Sequence, residues 1–389
     1  GGAGRRRSGA RGPAMSGDLL LLAAGRLPQG RYLGRLAGQG AVGLGVSAVE
    51  GLLADPALPR PDRVVWGMAR SHGNGMNPGR TIALKAGLGH EVPAHTVNMA
   101  CGSSLQALID GARILREGAA TAVLAGGSEA MSDTPHLLPA LRRGLRMGHR
   151  EAPDVMFQDG LRCPVTGLLM GETIERLAAK RGVDRAEADA WAAQSHRRAA
   201  AADFRAERLP HPELDQDECV RPEASAEALA RLAPVFGGQV TAGNASAISD
   251  GAAALLLARE AGDARPLGRL LGWAEAAVDP LDMGEAPVPA VRALLKALGL
   301  AVGDIALWEL NEAFAAQVLV CQRQLGLPED RLNVAGGGVA LGHPIGASGA
   351  RIATTLLHQL QARGGGLGVA TLGIGGGLGL AVLIEAFPG

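Results

Sequence analysis

The 389-residue chain is poor in aromatic residues: one Tyr, five Phe and four Trp make up 3% of it. So few rings leave no stacking platform for single-stranded nucleic acid. It also lacks an excess of charge of either sign, with 38 basic and 38 acidic residues. No long-range field therefore draws it to DNA, RNA or an anionic membrane, which argues against nucleic-acid and membrane-surface partners. No apolar run approaches the roughly 18 to 20 residues of a membrane span. The LLLLAA cluster at 19–24 is too short and reads as a buried strand. Cysteine is scarce as well. Cys101, Cys163, Cys219 and Cys321 form no C-x-x-C pair and stand in no zinc-like spacing with His. That usage argues against a metal site and a disulfide scaffold. It fits a reduced compartment, the cytoplasm, with one working thiol.

Glycine, by contrast, is abundant at 58 residues, and apolar residues make up 47% against 20% charged. This is the profile of a globular protein with close backbone packing and many tight turns. The length allows two or three units of ordinary domain size. Residues 1–14 (GGAGRRRSGARGPA) are basic and free of acids. They read as a disordered or vector-derived leader, a fragment of an organelle-targeting sequence being the other reading.

The chain repeats itself. VSAVEGLL from Val46 is followed by PDRVVWG with Asp62 and Trp66; VPAVRALL from Val288 is followed by VGDIALWE with Asp304 and Trp308. Each pair is 242 positions apart. Both copies predict an amphipathic helix followed by a short strand. More loosely, 95–114 and 331–352 share a strand–turn–helix outline, and 121–130 and 367–377 are apolar strands running into glycines. Strand–helix alternation repeated twice predicts two α/β halves of common plan. Between them, 132–235 is charged and Pro-punctuated, with stretches such as GETIERLAAKRGV suited to exposed helices. The expected organisation is a first half over 15–131 and 236–265, an inserted loop domain over 132–235 capping a site, and a second half over 266–389. VTAGNASAISDGAAALLLA, near 240–258, reads as strand-like.

Cys101, in TVNMACGSSLQAL, stands between a predicted strand and a predicted helix. Unpaired N–H groups and the dipole at a helix start favour a thiolate over a thiol of ordinary pKa about 8.5, and neighbouring N–H groups can bind an oxyanion. A buried structural cysteine is the competing reading. His343 follows a Gly-rich segment in NVAGGGVALGHPIGASGARI. Its imidazole suits the base of a Cys–His pair, or else a turn residue bonded to backbone. Asn311, in WELNEAFAAQ, is placed either to hold a water in a cleft or to cap a helix. GIGGGLG (373–379) offers free N–H groups to an anion, or simply a tight connection between strands.

Taken together, VNMACGSS, GGSEAMS (126–132), TAGNAS (241–246) with SDGAA, NEAFA (311–315), GHP (342–344) and the final glycine cluster resemble the thiolase family in order and spacing, over about residues 18–387. The resemblance implies a five-layered α-β-α-β-α core from two duplicated halves, with an inserted loop domain. It implies an acyl-CoA C-acyltransferase that runs 3-ketoacyl-CoA thiolysis or acetyl-CoA Claisen condensation through an acyl-cysteine. Cys101 is then the nucleophile and His343 its base, and Asn311 holds a water. The N–H groups of Cys101 and Gly375 form an oxyanion hole. Arg221, Ser246, Ala242, Leu161, Met170, Phe236, Ala313 and Phe314 meet the coenzyme A arm or the acyl group. Coenzyme A and acyl-CoA are substrates, no cofactor is permanently bound, and the assembly is a homodimer or homotetramer.

Two positions depart from the family pattern. The second cysteine usual before the last glycines is here Gly373, so the α-carbon proton of the second acetyl group loses its expected carrier. His343, an ordered water or Cys163 are the candidate substitutes. An acylation-only protein, either a slow thioester hydrolase or a non-catalytic thioester-binding subunit, is the alternative this glycine keeps open. The other departure is Leu169, where some members carry His before the Met-Gly of the cap; it implies an acyl pocket unlike the short-chain acetoacetyl type.

Overall fold

The computed structural model describes residues 19–389, so the leader expected over 1–14 lies outside the described residues. The strands are β1 (Leu20–Arg26), β2 (Gly30–Arg31), β3 (Arg63–Gly67), β4 (Ala94–Val97), β5 (Ala122–Ala130), β6 (Ser249–Ala258), β7 (Gly268–Ala277), β8 (Leu307–Leu310), β9 (Gly366–Ile374) and β10 (Leu378–Ala386). The α-helices are α1 (Gly40–Leu52), α2 (Pro78–Lys85), α3 (Ser103–Arg116), α4 (Met170–Arg181), α5 (Arg185–Ala201), α6 (Ala226–Leu229), α7 (Pro287–Leu298), α8 (Ala315–Leu325), α9 (Gly338–Leu341) and α10 (Ser348–Gln361).

The strand order β4-β3-β5-β6-β1-β7-β10-β9-β8 is a palindrome about the β1–β7 junction. On one side β1 pairs antiparallel with β6, β6 antiparallel with β5, and β5 parallel with β3. On the other, β7 pairs antiparallel with β10, β10 antiparallel with β9, and β9 parallel with β8. Beyond β3 lies parallel β4, and beyond β8 its counterpart is a single parallel bridge from Trp308 to Leu332. Trp66 and Trp308 thus hold equivalent places in the two halves, as their sequence spacing predicts. The junction itself is short, with Leu20 opposite Arg269 and Leu21 opposite Gly268.

Strands rich in apolar and small residues are covered on both faces, and the whole of β5 and of β6 is buried, Glu129 and Asp250 included. The inner cover is α3 and α10. Leu105, Leu108, Ile352 and Leu356 share one apolar cluster with Val123 and Leu255 of the first half and Leu372 and Val382 of the second. On the outside of the first half α1 and α2 pack Leu44, Val49 and Ile82 against Trp66, Leu124 and Leu256. On the outside of the second, α7 and α8 pack Val291, Leu294 and Val318 against Trp308, Val369 and Leu383. The layers are therefore α-β-α-β-α, the fold class expected from the resemblance.

The starts of the two central helices meet. Ser104 Oγ accepts the Ala350 N–H at 2.9 Å. A Cβ on Gly349 would lie 2.4 Å from the Leu105 nitrogen, so this crossing admits only glycine there. This contact brings the loops that precede α3 and α10 to one place.

Two local expectations need correction. The segment read as strand-like near 240–258 is a loop until Ser249, where β6 begins. Asn244 causes this: its side chain accepts the Thr241 N–H and donates to Asp189 and to the Gln239 carbonyl, in place of a strand ladder. Within 132–235, α5 is not an exposed helix. It is capped by Asp184 and Glu187, but Trp191 and Ser195 are buried and donate to Glu312 of the second half.

Candidate active site

The turn before α3 is built by its own polar side chains. Ser103 Oγ accepts the Met99 N–H at 2.9 Å and donates to the Ala100 carbonyl at 2.7 Å. Asn98 accepts the Ala100 N–H and donates to the Ala69 carbonyl. Ala100 is held at φ 45°, a left-handed conformation that costs a non-glycine residue energy and persists only where surrounding bonds impose it. The strained turn delivers Cys101 just before the N-cap Gly102 of α3. Cys101 is free and half-buried, and its sulfur faces a cavity of about 160 Å³.

The same cavity is lined by His343 and Gly375 from the second half, by Ser246, Ala313 and Phe314, and by Leu161 and Met170 from the inserted region. With Gly373, nine of the residues singled out in the sequence therefore converge there. Asn311 does not line the wall but touches it: its Nδ2 is 3.5 Å from His343 Nε2, and its buried Oδ1 has no partner. It caps no helix, since Phe314 is the N-cap of α8. Arg221 and Ala242 are exposed and lie outside the cavity wall, and Phe236 packs instead over Gly171 at the start of α4. Cys163 is buried and does not line the cavity, which removes it as a substitute proton carrier. Leu169 is the N-cap of α4 and also lies off the wall.

The tautomer of His343 follows from its neighbours. Ser348 Oγ donates to the Pro344 carbonyl at 3.0 Å, so towards His343 Nδ1, at 2.5 Å, it accepts. The ring proton is then on Nδ1, and Nε2 presents a lone pair. Burial, with repulsion from Arg351 and Arg70, pulls the His343 pKa down to about 3, so the imidazole is neutral at any ordinary pH.

Cys101 corrects the expectation of a lowered thiol pKa. Burial pushes the thiol up; Arg70 and the N–H groups of Gly375 and of Cys101 itself oppose this without overcoming it. The cause is desolvation: a helix start favours a thiolate only where water also reaches it. The resting pair is thus a neutral thiol and a neutral imidazole. Gly375 lines the same cavity as Cys101, and the backbone N–H groups of both residues lie close enough to the sulfur to oppose the effect of its burial.

Gly373 lies in the cavity wall near the end of β9. A Cβ there would stand 3.0 Å from the Met283 carbonyl oxygen and 3.4 Å from Pro287 Cδ. The loop before α7 therefore sits close to the position a side chain would occupy. Two polar residues of the site escaped the sequence reading. Ser348 orients His343, five positions away across a turn. Arg70 lines the cavity three residues past the end of β3. A charged residue just beyond the carboxyl end of a buried parallel strand is the signal that would have found it. Among the described residues no group of three or more His, Cys, Asp or Glu could hold a metal ion.

Residues 19–261 match the model of the thiolase N-terminal domain, and residues 264–386 that of the thiolase C-terminal domain. The chain is 44% identical to an acetyl-CoA acetyltransferase of Chromobacterium violaceum, over 95% of this chain and 99% of that one. It is 43% identical to an acetyl-CoA acetyltransferase of Escherichia coli, with the same 95% and 99% coverage. Among solved structures, it is similar to human mitochondrial 3-ketoacyl-CoA thiolase in complex with CoA. The TM-score there is 0.92 and the identity 37%, covering 96% of this chain and 98% of that one.

Proposed function

Because this chain belongs to the thiolase family, we propose that it is an acyl-CoA C-acyltransferase in which Cys101 carries the acyl group and His343 moves its proton. One observation supports this above the others: the two halves bring Cys101, the Nε2 lone pair of His343 and the Gly375 N–H to one cavity.

In the acylation step His343 Nε2 takes the thiol proton as the sulfur attacks the thioester carbonyl. A free thiolate is costly in this buried site, so proton transfer and attack are coupled. The developing oxyanion receives the N–H groups of Cys101 and Gly375. The bond to the coenzyme A sulfur breaks, and the leaving thiolate takes the proton from His343. In thiolysis the carbonyl attacked is the 3-keto group. The carbon–carbon bond breaks, an acetyl-CoA enolate departs, and coenzyme A then discharges the acyl-cysteine.

Gly373 has no side chain with which to protonate that enolate. His343 already holds the proton taken from Cys101, and an imidazolium with so low a pKa is a strong donor. Passing this proton to the α-carbon balances the step without a second cysteine. Asn311, beside Nε2, holds the water that helps polarise the second thioester carbonyl. Arg221 and Ala242, on the exposed side, meet the coenzyme A arm; Ser246 lines its path inward. Leu161, Met170, Ala313 and Phe314 bound the acyl pocket, and Phe236 stands behind it over Gly171.

Coenzyme A and its thioesters are the substrates, and no cofactor is permanently held. The active species is a homodimer or homotetramer in the cytoplasm. The test is thiolysis of acetoacetyl-CoA and of a longer 3-ketoacyl-CoA by coenzyme A. Turnover of either supports the reading. Acylation of Cys101 without thiolysis would instead favour the slow thioester hydrolase, and no acylation at all the thioester-binding subunit.

A further inference from the structure

Arg70 is 4% exposed, yet no side-chain hydrogen bond reaches its guanidinium, and its Nε and Nη2 are buried without partners. Buried guanidinium N–H groups left unmade are costly, and in the wall of a cavity they mark a place where a polar ligand or water can complete them. Arg70 lines the cavity with Cys101.

Neither Glu129 nor Asp159 is hydrogen-bonded to the guanidinium, although the Glu129 and Arg70 charges attract each other. Glu129 spends its oxygens on the N–H groups of Ala69, Arg70 and Gly346, at 3.1, 3.1 and 2.9 Å. Asp159 pairs with His72 at 3.3 Å. The cap is shaped for the guanidinium as well. A Cβ on Gly160 would fall 1.5 Å from Arg70 Nη2, so only glycine at this position leaves the cation its place. The wall also carries the apolar Met131, Leu161 and Ile345, and none of its polar side chains is hydrogen-bonded to the guanidinium.

We propose that Arg70 receives a carboxylate at the far end of the acyl group, so that the chain prefers short ω-carboxyacyl thioesters, of the succinyl or glutaryl kind, to plain acyl thioesters. Guanidinium and carboxylate match as a planar fork, and a desolvated pair of this type is among the stronger polar contacts. Arg70 and Cys101 line one cavity of about 160 Å³. A carboxylate bound by Arg70 in so small a space lies only a few carbons from the carbonyl under attack. The covalent step is unchanged: sulfur bonds to the acyl carbon, and coenzyme A leaves as the thiol with the proton from Cys101.

This inference rests on the acyltransferase reading, and one experiment separates the two. The intact protein is mixed with succinyl-CoA or butyryl-CoA at equal concentration, and acylation of Cys101 is timed by mass spectrometry. Succinyl-CoA is expected to label about tenfold faster or more, the scale of one charge-assisted pair. Arg70→Met should reverse the order, and Arg70→Lys should fall between. Should Arg70→Met not fold, the ratio in the parent protein decides. Labelling by butyryl-CoA as fast as by succinyl-CoA in the parent would overturn the carboxylate assignment while leaving the acyltransferase reading intact. Labelling by neither would overturn both.

Discussion

Ser348 Oγ stands 2.5 Å from His343 Nδ1 and passes its own hydrogen to the Pro344 carbonyl at 3.0 Å. The serine thereby fixes the ring proton on Nδ1 and leaves Nε2 to receive the proton of Cys101. Ser348→Ala should lower the Cys101 acylation rate about tenfold, the worth of one buried hydrogen bond. The loss should fall on kcat more than on KM, since Ser348 meets no substrate. An unchanged kcat would show that the imidazole needs no such support.

Both shifts at the catalytic pair run against charge: burial raises the thiol and pulls His343 down to about 3. Iodoacetamide should therefore label Cys101 about tenfold faster per pH unit through the neutral range, without a plateau. A rate independent of pH across that range would reveal a standing thiolate–imidazolium pair. The same shift has a stability consequence. Between about 3 and the ordinary value near 6.5, the unfolded chain binds a proton at His343 that the folded chain refuses. Its contribution to stability is whole above pH 6.5 and is lost as pH falls towards 3. The urea midpoint should drop over this window, and His343→Asn should flatten the drop.

Gly373 is the position where a proton carrier is missing. Gly373→Cys should raise condensation of acetyl-CoA about tenfold to a hundredfold, at or below the low end of the roughly 10²–10⁴-fold worth of a placed acid or base. The gain is held down because the new Cβ must push back the Met283 carbonyl, which stands 3.0 Å away. Gly373→Ala, with the same crowding and no thiol, should show no gain. A cysteine variant that acylates like the parent yet condenses no faster would mean that His343 alone already carries the proton well.

Glu312 is buried and accepts from Trp191 Nε1, Ser195 Oγ, Asn333 Nδ2 and the Val339 N–H, tying α5 to the loop before α9. Glu312→Gln turns one acceptor oxygen into a donor facing donors. The loss should be about 2 to 3 kcal/mol in unfolding free energy, read from urea denaturation. A change under about half of that would mean the network relaxes around the amide.

The duplicated plan was legible because apolar strands, glycine turns and the Trp66/Trp308 spacing are local and survive in each copy. The turn at Cys101 was legible too, since a strand meeting a helix places the residue between them. Desolvation was not: the apolar surroundings that keep the Cys101 thiol neutral include Met131, Met156 and Ile345, brought in by the chain after β5, the inserted region and the loop before α10. Arg70 was missed for a related reason, because its lack of partners is a property of three separate segments. The loop at Thr241–Ile248 read as strand because its small residues resemble one, while the Asn244 bonds that unmake the strand reach across to α5.

The most direct test is to incubate the protein with acetyl-CoA alone, quench it and map the acetyl group by peptide mass spectrometry. One acetyl on Cys101 is predicted, discharged by added coenzyme A, absent from Cys101→Ala and formed about a hundredfold more slowly or worse in His343→Asn. A protein that carries no acetyl group on Cys101, or that loads it equally fast without His343, would contradict the account.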